Sequence, residues 1–300
     1  VPCPYIIYFS KDLVANLDLD NPYQLVYDGK WTLDKFEEMA RAAVSDVNGD
    51  GAMDRQDRYG LLSTAKQILP CFWIAAGQES MKMDTNGHPV FSLLSDENLQ
   101  SVFVEIFDLV YENNAWHHYT DEENVHPEEV NMFISGLGLF IDMPVFYLET
   151  LRAMDTDFGL IPWPKYDETQ ENYHHFVHGT AGKVVTVTVA VKDQEMSGAI
   201  VEAMAAKSMY TLTPAYYDVA ITRKYMRDEE SIEMLDIILQ DRRYDLGYIY
   251  NWGNLYTNIR SMIVAGKDTF ASTWEKGQNS FNSAMEKTLV KYEELNEQRG

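Results

Sequence analysis

The chain has 300 residues, 24% of them charged and 46% hydrophobic, and 47 acidic against 24 basic side chains leave a formal net charge of −23. This is the composition of a globular chain with material for one large domain or two ordinary ones. No cluster of lysine or arginine offers the basic face that nucleic acid requires, the acidic balance opposes adsorption to an anionic membrane, and no apolar run approaches the roughly 18 residues of a membrane span.

In chain order, residues 1–9 (Val-Pro-Cys-Pro-Tyr-Ile-Ile-Tyr-Phe) read as an extended segment with proline near its start. Lys11 to Leu17 reads as helix, and Asp18 to Pro22 as a turn. Thr32 has the residue type of an N-cap, and Leu33, Phe36, Ala40 and Ala43 after it recur at helical spacing.

That helix delivers the chain into Asp46-Val-Asn-Gly-Asp-Gly-Ala-Met-Asp-Arg-Gln-Asp57. Asp46, Asn48, Asp50, Asp54 and Asp57 stand at positions 1, 3, 5, 9 and 12 of a calcium loop. Gly51 occupies the sharp turn at position 6, and the Ala52 carbonyl would supply position 7. A hard cation takes six to eight oxygens, and the alternation aims every second side chain inward. The plainer reading is an acidic surface turn. Asp57 is one methylene shorter than the usual glutamate at position 12, and Arg58 to Leu62 reads as a strand rather than a second helix. Calcium sensors pair two helix-loop-helix units, so a single loop between a helix and a strand reads as a staple. It points to a compartment outside the cytosol.

Residues 65–76 are apolar and predicted helical beyond Pro70, and Asn86-Gly87 marks a hairpin turn. A long amphipathic helix from Asp96 carries Leu99, Phe103, Ile106 and Val110 on one face. Gly136 to Ile141 reads as a short buried strand running into Asp142-Met-Pro144, and Phe158 to Pro162 as another. Lys183 to Val191 alternates strictly, with Val185, Val187, Val189 and Val191 on one face, and is the clearest strand pattern in the chain. Helices are predicted at about 195–210, at 229–241 behind an Asp228 cap, and at about 278–297. Strands alternating with helices indicate an α/β protein.

Signatures of catalysis are missing. There is no Gly-x-Ser-x-Gly elbow, Gly136-Leu-Gly138 lacks the third glycine of a dinucleotide loop, and Gly179-Thr-Ala-Gly-Lys183 lacks the spacing and hydroxyl of a phosphate loop. With so many acidic residues, nothing selects the two carboxyls that a glycosidase needs. His174 and His178, four apart, would chelate a metal on a helix, but their stretch reads as loop or strand and ordinary surface histidines account for them and for His117, His118, His126 and His175. Cys3 and Cys71, each beside a proline, either pair in an exporting compartment or stay as buried thiols. The 19 tyrosines, 13 phenylalanines and 6 tryptophans gather beside turns, notably at Phe72-Trp73, Phe146-Tyr147, Trp163, Tyr216-Tyr217 and Tyr248 to Trp252. Taken singly these aromatics are core residues. As a set beside Asn, Asp and Gln they suit a sugar, whose flat faces stack on rings while its hydroxyls bond to amides and carboxylates.

Read in sequence, Asp12 with its helix, Trp31-Thr-Leu-Asp-Lys-Phe36, Asp46-Val-Asn-Gly-Asp-Gly51 and Arg58-Tyr-Gly-Leu61 resemble the extracellular solute-binding proteins of ABC importers, group 1, the maltose-binding-like family. Gly138-Leu-Phe-Ile-Asp-Met-Pro144, Phe158-Gly-Leu-Ile-Pro-Trp-Pro164, Met196-Ser-Gly-Ala-Ile200 and Thr213-Pro-Ala-Tyr-Tyr-Asp218 continue the likeness over nearly the whole chain. The resemblance implies an α/β fold of the periplasmic-binding-protein-like type II. Residues 1–9 would be a hinge-crossing strand, 10–183 and 246–300 the carboxy-terminal lobe with the calcium loop 46–57, and 184–245 a hinge strand with part of the amino-terminal lobe. Most of that second lobe, with a signal peptide and lipid anchor, would lie upstream. It also implies a monomer that closes on a carbohydrate, docks on the membrane subunits of a permease, and performs no chemistry of its own. Trp73 and Trp252 would stack on sugar faces, Asp142 and Asn251 would bond hydroxyls, Phe146 would line the cleft, and Tyr217 would close from the facing lobe. A secreted, calcium-stabilised enzyme acting on glycans is the alternative of a different class.

Overall fold

The computed structural model describes residues 4–64, 68–92, 97–108, 115–119, 127–152, 154–178, 185–188, 190–217, 219, 221 and 226–297. Strand β1 (Tyr5–Ser10) leads directly into α1 (Lys11–Asn16), followed by α2 (Pro22–Tyr27) and α3 (Leu33–Ala43). Each helix begins on a residue that can cap it: the side chains of Ser10, Asn21 and Thr32 accept from the amides of Leu13, Tyr23 and Lys35. The next elements are β2 (Tyr59–Thr64), α4 (Ile68–Ala75), the hairpin strands β3 (Met81–Met83) and β4 (Pro89–Phe91), α5 (Glu97–Phe107), β5 (Trp116–Tyr119), α6 (Pro127–Ile134) and β6 (Gly138–Pro144). After them come α7 (Leu148–Leu151), β7 (Phe158–Ile161), β8 (His175–Phe176), α8 (Gln194–Tyr210), α9 (Leu212–Pro214), α10 (Glu229–Gln240), β9 (Arg242–Arg243), α11 (Leu246–Tyr250), α12 (Leu255–Ala265) and α13 (Phe270–Glu297).

The main sheet has the order β5-β2-β6-β1-β7. Strand β2 runs parallel to β5 and β6, while β1 is antiparallel to both β6 and β7, so four strands share one direction and β1 is reversed among them. The carboxyl ends of the four therefore lie beside the amino end of β1, where Tyr5 is opposite Pro144. Every residue of β1 and β6 is buried, as befits strands covered on both faces. Helix α3 lies close on β2: a Cβ at Gly60 would come within 2.2 Å of the Ala40 carbonyl oxygen, which is why glycine stands there. Between helices and sheet, Trp31, Phe36, Phe72, Phe140 and Trp163 form one aromatic cluster with centroids 4.9 to 5.9 Å apart along successive contacts. The Trp31 indole completes it by donating to the Pro162 carbonyl at 2.9 Å.

The predicted elements hold in outline, with three differences. The alternating valines do not make a strand over their described part. Residues 185–188 have no regular structure, Val185 and Val187 are exposed, and Lys183, Gly179 to Gly182 and Val189 fall outside the described residues. Alternation prepares one face of a strand, but pairing requires a neighbour, and none of the described strands pairs with 185–188. The last helix starts eight residues earlier than predicted, at Phe270, because Phe270, Trp274 and Phe281 extend its apolar stripe and the Phe281 ring packs where a side chain of Gly277 would stand.

The third difference concerns 184–245. Helix α8 has no buried residue, and Met196, Ile200, Met204 and Met209 are exposed along it. In contrast, α10 packs on β7 and buries Met234, Leu235 and Ile238 in the main core. Its cap Asp228 is held by Lys11 at 2.6 Å and by the Tyr23 hydroxyl at 3.1 Å, and Tyr23 meets Ser231 at 2.8 Å. The segment thus divides, with α8 apart from the core and α10 belonging to the same body as β1 and α1.

Candidate binding site at the carboxyl end of the sheet

The last residues of β6 bring Asp142 to the carboxyl end of the parallel strands, the place where open α/β sheets bind ligands. Asp142 is 2% exposed, and neither carboxylate oxygen has a hydrogen-bond partner. Burial pushes its pKa up to about 7, offset in part by the Ser63 hydroxyl, which faces it from β2 without reaching bonding geometry. The carboxyl is thus a neutral acid below about pH 7, able to donate as well as accept. Tyr5 from β1 and Cys71 from α4 lie near enough to feel its charge. Burial first, and then the Asp142 carboxylate, raises both the Tyr5 phenol and the Cys71 thiol well above their ordinary values. Cys71 is a buried free thiol, while Cys3 lies outside the described residues.

Directly after β6 the chain makes a tight turn, Val145–Tyr147, that leaves Phe146 53% exposed with its ring 4.9 Å from that of Tyr147. Tyr216 and Tyr217 sit edge to face at 5.2 Å in a widened helical turn over 215–217, a form frequent at functional sites. Both are half-buried against the main core, and Asp218 beside them is outside the described residues.

The other three predicted contacts have structural work instead. Trp73 is 1% exposed: its indole donates to Asp245 at 3.2 Å, and Phe103 and Tyr256 pack on it, so no face is open to a sugar. Asp245 is itself a buried hub that accepts from the Ser80 amide at 2.9 Å, from the Ser80 hydroxyl and from the Tyr248 amide. Asn251 adopts a left-handed conformation (φ 44°), its side-chain oxygen accepts from the amides of Tyr256 and Thr257, and its Nδ2 donates to the Thr257 hydroxyl. It caps the first turn of α12. Trp252 is buried with Met81 and Met285, and its indole donates to Thr288 at 2.9 Å. Sequence reasoning could not separate these from the exposed Phe146, because turn-flanking aromatics of both kinds look alike in one dimension. It also missed Tyr5, read only as strand interior, although the antiparallel register sets it across from Pro144.

Among the described residues the histidines form no metal site. His174 pairs with Asp241 at 2.8 Å, His178 packs among Tyr5, Phe176 and Tyr248, and His175 is fully buried with both ring nitrogens unpartnered, so that burial lowers its pKa to about 3. Nothing is described for the side chains of His117 and His118, and His126 lies outside the described residues. Among the described residues, no group of three or more His, Cys, Asp or Glu side chains is gathered as a metal site.

The 46–57 loop lies before β2, at the end of the sheet away from Asp142. Its side chains fold back on its own amides: Asp46 accepts from Gly49 and Gly51, Asn48 from Asp50, Asp50 from Ala52, and Asp54 from Gln56. Asp57 is shielded from water and accepts from Val47 and Asp54, each at 2.8 Å, and these amide bonds, that from Asp54 foremost, hold its pKa below the ordinary value. Gly49 and Gly51 take positive φ, which lets the loop turn tightly enough for these bonds. The ligating atoms would all be oxygens in an order that suits a hard cation; Asn48 and Asp54 each use one side-chain oxygen as acceptor in this inner framework, and Asp50 uses both, the second accepting from Asn48 Nδ2 at 3.1 Å.

Comparison with protein-family models and with characterised proteins by sequence gives no match. Comparison by structure does. The sugar-binding protein MalE from Xanthomonas citri superposes with a TM-score of 0.67 over 97% of this chain and 71% of its own, at 12% identity. The ABC substrate-binding protein Lmo0181 from Listeria monocytogenes, in complex with cycloalternan, gives 0.64 over 94% and 70%, also at 12% identity. The fold is that of the periplasmic-binding-protein-like sugar-binding proteins. The maltose/maltodextrin-binding domain MalE from Bdellovibrio bacteriovorus, bound to maltotriose, matches with a TM-score of 0.57 over 97% and 72% at 16% identity. Sequences this far apart share the backbone plan, which leaves the binding chemistry to each chain's own residues.

Proposed function

We propose that this chain is the carbohydrate-binding component of an ABC importer. It acts outside the cytosol and takes up a mono- or oligosaccharide at the carboxyl end of its main sheet. The observation that carries this reading is the turn at the carboxyl end of the main sheet, beginning three residues beyond Asp142, which leaves Phe146 53% exposed against Tyr147. Asp142 beneath it is shut from solvent, and its unpartnered carboxyl would bond a sugar hydroxyl only once the residues covering it move. Phe146 and Tyr147 supply aromatic surface beside it, and Tyr217 contributes from the widened turn. In this reading Trp73, Asn251 and Trp252 hold the fold and make no contact with the sugar. Sugar capture would proceed by closure of two lobes, followed by delivery to the membrane subunits of a permease, with the protein working as a monomer tethered by a lipid anchor upstream of this chain.

Calcium has a structural role in this reading. Asp46, Asn48, Asp50, Asp54, Asp57 and the Ala52 carbonyl would hold the ion and pin α3 to β2, far from the sugar. Titration of mono- and oligosaccharides by calorimetry tests the function: saturable binding with the sugar recovered unchanged is expected. Turnover of the sugar would replace this reading by that of a secreted glycan-active enzyme, and no binding across a broad panel would refute both.

A further inference from the structure

We infer that Tyr250 and Tyr292 form an accessory platform that stacks on one residue of an extended, neutral glycan, in addition to the contacts proposed above. The inference rests on the carbohydrate reading and adds to it a contact made by longer chains. Tyr250, the last residue of α11, lies flat on the Trp252 indole with centroids 4.6 Å apart and planes 3° from parallel. Trp252 is in turn immobilised: it is buried with Met81 and Met285, bonded to Thr288, and met edge-on by Phe91 at 6.1 Å. Stacking covers one face of Tyr250 and sets the plane of the ring, yet the residue remains 39% exposed.

Its hydroxyl meets that of Tyr292, from α13, at 2.7 Å, and Tyr292 is 50% exposed. Single exposed tyrosines need no explanation. Two whose orientations are fixed, one by an indole beneath it and both by a shared hydrogen bond, are different. Their ordering entropy is already lost before any ligand arrives.

The chemistry selects a sugar. Aromatic faces complement the C–H faces of a pyranose. When two phenols share one hydrogen bond, only one proton is used, so the pair keeps one donor and several acceptor lone pairs for ring hydroxyls. The surrounding charge selects further. Glu293 and Glu294 adjoin Tyr292 in the sequence and the whole chain carries −23, which disfavours uronic acid or sulfated sugars and leaves neutral ones.

Native affinity electrophoresis in gels containing soluble starch, dextran or galactomannan reads the platform directly, with calorimetry on disaccharides and heptasaccharides beside it. Parent protein should be retarded by at least one of these glycans. Tyr250→Ala and Tyr292→Ala should each weaken that interaction tenfold or more, while leaving disaccharide affinity and the melting temperature close to the parent's. Tyr292→Phe, which keeps the ring and removes the hydroxyl pair, should fall between. Equal retardation of parent and variants overturns the platform and leaves the carbohydrate reading intact. So does a parent that binds short sugars but runs freely through every glycan gel. A parent that binds no sugar in either assay overturns both.

Discussion

Replacing Asp142 by asparagine keeps the shape of the side chain and removes its titration, so the variant isolates the cost of an ionised carboxylate at the end of β6. The folded-state pKa of Asp142 is raised from 3.8 to about 7. A group raised in this way favours the folded state most below its unfolded value, near 3.8. Its contribution then declines as pH rises through the folded value, near 7. The gap of roughly three pH units, at about 1.36 kcal/mol each, makes the ionised form roughly 4 kcal/mol less stable in the fold than in the unfolded chain. That is a large part of the 5–15 kcal/mol typical of a whole domain. Burial keeps the neighbouring Tyr5 phenol and Cys71 thiol neutral over the same range, so neither compensates. Urea unfolding at half-unit steps from pH 3.5 to pH 8.5 should therefore show the parent losing stability relative to Asp142→Asn as pH rises, with the gap opening above about pH 4 and levelling off above about pH 7. Parallel profiles would refute the reasoning, because they would mean that the carboxylate is solvated or paired after all. Sugar affinity of the parent should fall as pH rises through about 7 if the protonated acid donates to a hydroxyl.

His175 predicts the opposite slope at acid pH. Its folded pKa is lowered to about 3, so its contribution is intact above the unfolded value near 6.5 and is lost as pH falls toward 3; His175→Leu should keep its urea midpoint at pH 4.5, where the parent loses roughly 2.7 kcal/mol. Calcium at about 100 times its dissociation constant should stabilise the parent by about 2.7 kcal/mol, and Asp50→Ala should abolish that gain without altering sugar affinity. Identical melting of parent and variant with calcium and with chelator would show that the loop works without the ion. Phe146→Ala should weaken sugar binding with little change in melting temperature, as its ring is half in water. Trp73→Ala should instead cost about 3–5 kcal/mol of stability by opening a cavity, and calorimetry beside thermal melting separates the two.

Much of the architecture was legible because its signals are local. Thr32 caps α3 as its residue type demands, Asp228 caps α10, and Asn86-Gly87 closes the β3–β4 hairpin with Gly87 at positive φ. These depend on residues a few positions apart, whose geometry is settled before distant parts of the chain meet. The valines around 185 show the limit of that logic. Their period of two specifies a strand-like face, but a strand exists only when another edge offers its amides and carbonyls, and nothing local supplies one.

The candidate site divides along the same line. The family resemblance marked Asp142, in the run from Gly138 to Pro144, and Phe146, two residues beyond it, as candidates, and the 1-3-5 spacing marked the oxygens of the 46–57 loop as calcium ligands to be tested. Whether an aromatic residue faces water or the core was decided only in three dimensions. Trp73 and Trp252 sit beside turns just as Phe146 does, yet Asp245 and Thr288, 172 and 36 positions away, accept their indole protons and close the surfaces around them. Local order is set by short-range sterics and hydrogen bonds, whereas burial is a property of everything that packs around a side chain, and that is known only once the chain has folded.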